Sequence, residues 1–114
     1  MTLIQILQII ACVGTALVGL IAIAAPTSIA GFTGLEATSP RATTELRSGL
    51  GGFYLALGVI PLVLSEPAAF TMLGITYLVV AVVRTVSMFV DGSVEQSNII
   101  SIVSEIVLGV ILLL

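Results

Sequence analysis

The chain has 114 residues, 59% of them hydrophobic and 8% charged, with three arginines, no lysine, six acids and a formal net charge of −3. An ordinary soluble domain carries about 25% charged residues, and nine charged side chains cannot furnish a water-facing surface for a chain of mean hydropathy +1.33. Nucleic-acid binding, which needs clustered Lys and Arg, a disulfide framework, which needs two cysteines, and zinc or haem sites, which draw on His or several Cys, all lack their materials in a chain with no histidine and one cysteine. No metal and no cofactor is expected.

A membrane helix needs roughly 20 mostly apolar residues at a rise of 1.5 Å each. The first such run spans about residues 2–25 and stops before Pro26. No Lys or Arg precedes it, and it exceeds the roughly 7–15 apolar residues of a signal core, so it reads as a retained helix. Cys12 lies inside this run and reads as small packing. A mixed segment from Thr27 to Thr44 follows, in which Ile29, Phe32 and Leu35 suit a short helix or turn on the bilayer surface.

The second span is predicted over about residues 45–64, with Pro61 near its end as a kink. Ser65-Glu66-Pro67 is a tight turn. The third span covers about 68–90 and ends at Asp91-Gly92, where glycine suits a left-handed cap. The last covers about 96–114. The expected fold is all-α: a single transmembrane domain over 1–114, built as an up-down-up-down four-helix bundle with short loops.

Lipid is as apolar as leucine, so membrane helices associate through small and polar residues. Each span has such a face. In the first it is Gln5, Gln8, Cys12, Thr15 and Gly19; in the second Arg47, Gly51, Tyr54 and Gly58; in the third Gly74, Tyr77, Ala81, Arg84, Ser87 and Asp91; in the fourth Ser97, Ser101, Ser104, Glu105 and Leu108. Close packing accounts for most of them, with Gly51, Gly52 and Gly58 as the packing glycines of the second helix.

Charges inside the spans need more than packing. Arg84 is seven residues before Asp91, about 10 Å into the bilayer, and Glu105 is nine after Gln96, about 13 Å in from the same side. An unpaired charge at the bilayer centre costs from about 2.5 to above 10 kcal/mol. Arg84 is therefore expected to pair with Glu105, with Asp91, Arg47 and Glu45 completing a buried cluster nearer the surface. Ser87, Ser101 and Ser104 would take up the remaining hydrogen-bond capacity. Arginine does not deprotonate, which favours a structural clamp over a proton relay. The positive-inside rule places the connection carrying Arg41 and Arg47 in the cytoplasm, with the connection between the third and fourth helices on the same side.

The stretch "ELRSGLGGFYLALG" (Glu45–Gly58), then "RTVSMFVDG" (Arg84–Gly92) and an acid at Glu105 in the last helix, resembles a family of small four-helix membrane proteins catalogued as domain of unknown function 4345. The motif positions are Arg47, Gly51, Gly52, Gly58, Arg84, Ser87, Asp91 and Gly92, and "AAPTSIAGFTGLE" resembles the family's Pro-containing link. The resemblance covers nearly the whole chain and implies the fold and a bacterial inner-membrane setting, but no activity.

The expected role is that of a membrane protein without catalytic residues, an accessory or structural subunit of a larger complex or a homo-oligomer, whose partners are lipids and other transmembrane helices and not nucleic acid. The alternative is a carrier of a lipophilic small molecule, a quinone or lipid, in an intramembrane pocket near Tyr54, Tyr77 and the charged cluster. An enzyme ranks last, because no nucleophile–base pair stands out.

Overall fold

The computed structural model describes residues 1–114 and is all-helical. Helix α1 (Leu3–Ala24) starts in a reciprocal cap: the Thr2 hydroxyl accepts from the Gln5 amide at 3.2 Å, and the Gln5 side-chain oxygen accepts from the Thr2 amide at 3.0 Å. Two donors that the first turn would leave orphaned are thereby satisfied. A 3₁₀ turn (Pro26–Ile29) and the single-turn α2 (Ala30–Thr33) follow, leaving Phe32 and Leu35 exposed.

The second long helix begins five residues before the predicted 45, at Pro40. Ser39 is extended, its hydroxyl accepts from the Ala42 amide at 3.1 Å, and Pro40 stands at the first helical position. There the missing N–H has no partner to lose and the ring holds the helical φ, so the last residues of the mixed segment already belong to the helix. The helix runs through α3 (Pro40–Glu45), a π-helical stretch (Leu46–Gly52) and α4 (Phe53–Leu64), where Pro61 withholds one intrahelical bond. Ser65, at φ 54°, closes it, and Pro67 opens α5 (Pro67–Val90).

Helix α5 ends in a Schellman closure. Asp91 is its C-cap, Gly92 takes the left-handed φ of 64°, and the Ser93 amide reaches back to the Met88 carbonyl at 2.9 Å. The last helix, α6 (Gln96–Leu113), starts after an extended Glu95. The spans Leu3–Ala24, Pro40–Leu64, Pro67–Val90 and Gln96–Leu113 are each long and apolar enough to cross a membrane.

The chain divides into two compact units: Met1–Gln8 with Glu66–Leu114, and Ile9–Ser65. In the second, α1 and the π–α4 helix meet backbone to backbone. A Cβ on Gly58 would collide with the Ala16 nitrogen and the Cys12 carbonyl oxygen, one on Gly19 with the Leu55 nitrogen, and one on Gly51 with Ile23 Cγ1 at 2.5 Å. Cys12, Thr15 and Ala22 are buried in this unit. In the other unit α5 and α6 cross at Gly74 and Gly109, where a Cβ on Gly74 would lie 3.0 Å from the Gly109 carbonyl oxygen. Such approaches replace hydrophobic drive with van der Waals contact.

The packing role expected of Gly52 is not found: a Cβ there would meet nothing within 4 Å. One residue turns a helix by about 100°, so the glycine after the contact residue Gly51 looks away from α1.

Candidate functional site

Inside the unit formed by α5 and α6, four polar residues join in one chain of hydrogen bonds. The Arg84 guanidinium, on α5, lies side-on to the Glu105 carboxylate on α6: Nε donates to Oε1 at 3.0 Å and Oε2 at 3.3 Å, and Nη2 donates to Oε2 at 2.9 Å. Nη1 donates to Asn98 Oδ1 at 3.1 Å, and Asn98 Nδ2 donates to the Ser93 carbonyl at 2.9 Å and hydroxyl at 3.3 Å. The Glu105 side chain is 8% exposed and that of Arg84 30%. Two parallel charge-assisted bonds fix both position and angle, so this pair sets the rotation of α5 against α6.

Asn98 and Ser93 are the members that reading along the sequence missed. Asn98 stands seven residues before Glu105, two turns away on the same face, which is the signal that could have found it. Through Asn98 the charge pair is tied to Ser93, in the turn that closes α5.

The other charges lie elsewhere. Asp91 is exposed at the C-cap of α5 and stands outside the ion pair, which joins Arg84 to Glu105. Glu45 is exposed, not buried, and pairs with Arg41 one turn earlier on its own helix. That pairing exists because the helix starts at Pro40, which puts residues 41 and 45 on one face. Arg47 belongs to the Ile9–Ser65 unit, exposed on the π-helical stretch, and takes no acid of that unit.

Ser104 is exposed and donates to the Ile100 carbonyl of its own helix at 2.9 Å. Ser87 and Ser101 are half-buried and make no side-chain hydrogen bond, so the polar support comes from Asn98 and Ser93. Tyr54 is half-buried on α4 and Tyr77 half-buried on α5, in different units.

At the other end of the α5–α6 unit, Gln8 Nε2 donates to the carbonyls of Ile111 at 3.3 Å and Leu112 at 3.4 Å. These belong to the last turn of α6, where carbonyls run short of the usual i+4 amides and Ile111 has only the Leu114 amide at 3.3 Å; inside lipid such groups need further partners. An open groove of about 280 Å³ runs along α5, lined by Ile75, Leu78, Val79, Val82 and Val83, all apolar. No group of His, Cys, Asp and Glu is placed to hold a metal ion.

Four apolar helices of membrane-crossing length, joined by short connections and carrying one internal arginine–glutamate pair, define a small integral membrane protein. More particularly, the chain belongs to the family described as domain of unknown function (DUF4345), whose model matches residues 3–114. Comparison with curated proteins and with solved structures finds no match.

Proposed function

We propose that the chain works without catalysis of its own, as a membrane subunit that associates through its helix faces with other transmembrane helices, in a larger complex or with further copies of itself. The observation that carries this reading is Gly14. In mid-helix a glycine costs roughly 1 kcal/mol relative to alanine, and the helical glycines at 19, 51, 58, 74 and 109 each permit a close approach within the chain. Gly14 permits none: it is exposed, a Cβ on it would meet nothing within 4 Å, and it lies on an outward ridge with Leu17 and Val18. An outward notch of this kind suits an approaching helix backbone.

The polar chemistry agrees with a non-catalytic role, since Arg84 and Glu105 are engaged with one another and with Asn98. Native mass spectrometry of gently extracted protein tests the reading. A stoichiometric partner or a defined oligomer, lost on Gly14→Leu, is the expected result. A lone monomer counts against it, and a monomer retaining one lipophilic molecule would favour the carrier instead.

We further assign the protein to the bacterial inner membrane, with the connections around residues 26–39 and 91–95 on the cytoplasmic side. Arg41 and Arg47 flank the first of these, and the turn at residues 65–66 carries no Lys or Arg. Reporter fusions placed after Gly34 and after Ser65 should give cytoplasmic and external signals respectively; the reverse pattern rejects the assignment.

A further inference from the structure

The helix Pro40–Leu64 is held unevenly along its length. From Gly51 onward it is clamped to α1, with Gly51 and Gly58 in backbone contact and Pro61 buried. Before that point Arg41, Thr44, Glu45, Arg47 and Ser48 are all exposed, and the segment is steadied by its own Ser39 cap and the Arg41–Glu45 pair.

The border between the two halves is the π-helical stretch Leu46–Gly52. A π turn holds more residues than an α turn, and mid-helix stretches of this kind mark functional sites more often than chance. Three of its seven residues are glycines, at 49, 51 and 52. Only Gly51 is there for packing. A Cβ on Gly49 would make ordinary contact with Glu45 Oε1 at 3.5 Å, one on Gly52 would meet nothing, and neither residue has a positive φ. Two glycines without a steric reason, in a widened turn, between a clamped half and an unclamped half, lower the cost of changing the hydrogen-bond ladder where such a change can be accommodated.

We propose that residues 46–52 are a hinge at which the π ladder interchanges with an α ladder, turning the Pro40–Glu45 half about the helix axis while α4 stays fixed on α1. A slip of one residue is about 100°, which at a helix surface radius of 5–6 Å displaces a side chain by about 8 Å. The turn would swing the paired Arg41 and Glu45, which share one face and precede the hinge, as one body.

The test is a distance measurement by pulsed electron paramagnetic resonance on the full chain in lipid nanodiscs. Spin labels go on Leu20→Cys of α1 and Thr44→Cys of the turning half; Cys12 is fully buried and stays in place. A second pair, Leu20→Cys with Val59→Cys, lies below the hinge. The wild-type background should give two populations for the 20–44 pair and one for the 20–59 pair. Adding Gly49→Ala and Gly52→Ala, which the structure has room for, should collapse the first to a single population, because alanine favours the tighter α ladder. Either single alanine serves if the double variant does not fold. One narrow 20–44 population in the wild-type background, or two whose ratio the alanines leave unchanged, overturns the hinge.

Discussion

Glu105→Ala is expected to be among the most damaging single substitutions in this protein, costing about 3–5 kcal/mol, the range for removing one partner of a buried ion pair. The loss of attraction is the smaller part. The larger part is what remains: a guanidinium inside the helix pair that cannot shed its proton, keeping only Asn98 of the polar partners described above. Arg84→Ala should be milder. It strands a carboxyl instead, and a carboxyl can take up a proton and enter oil as a neutral group.

The ordering is thus asymmetric although the bond is shared. The double variant Arg84→Leu/Glu105→Leu removes both charges and fills their space with apolar atoms, so it should recover much of the stability lost by Glu105→Ala. Thermal unfolding in one detergent, followed by circular dichroism, ranks the three. If Glu105→Ala proves as stable as the parent, or the double variant is worse than either single, the pair is not the internal tie described here.

The second large effect is expected at the crossing of α1 with α4. Gly58→Ala adds one methyl group, but the atoms it meets are the Ala16 nitrogen and the Cys12 carbonyl oxygen, which belong to a helix backbone and cannot rotate away. The helices must separate over several turns, so the cost should reach or exceed the upper end of the 1–3 kcal/mol typical of overpacking. Gly52→Ala is the matched control on the same helix. With nothing within 4 Å of its Cβ, it should be neutral or stabilise by up to about 1 kcal/mol. The comparison is by midpoint of unfolding in the same detergent, and equal midpoints for the two variants would refute the close crossing.

The same two places separate what a linear reading of the chain can reach from what it cannot. Arg84 and Glu105 are findable because ionised groups deep in apolar runs have so few affordable partners, and the connection between the helices is too short to let either go elsewhere. Asn98 is not findable by that reasoning, since an uncharged amide at the start of a helix raises no alarm until a guanidinium edge is seen against it. Asp91 fails in the opposite way: an acid near an arginine in sequence reads as a partner, yet the closure of α5 at Gly92 leaves it exposed. Gly51 and Gly52 are alike as letters, and only the direction each faces on the helix tells contact from open space.

The amino-acid sequence alone determined the all-helical class, the four apolar spans, the membrane as solvent and the family, because length, hydropathy and short turn motifs are local properties that survive being read one residue at a time. Only the tertiary structure decided that Asn98 and Ser93 complete the charge pair, that Glu45 serves Arg41, that Gly109 rather than a serine makes the α6 crossing, and that the second helix starts at Pro40 and widens at residues 46–52. Those outcomes depend on which face of one helix meets which face of another. That choice is settled by atoms brought together from distant parts of the chain, and no local pattern carries it.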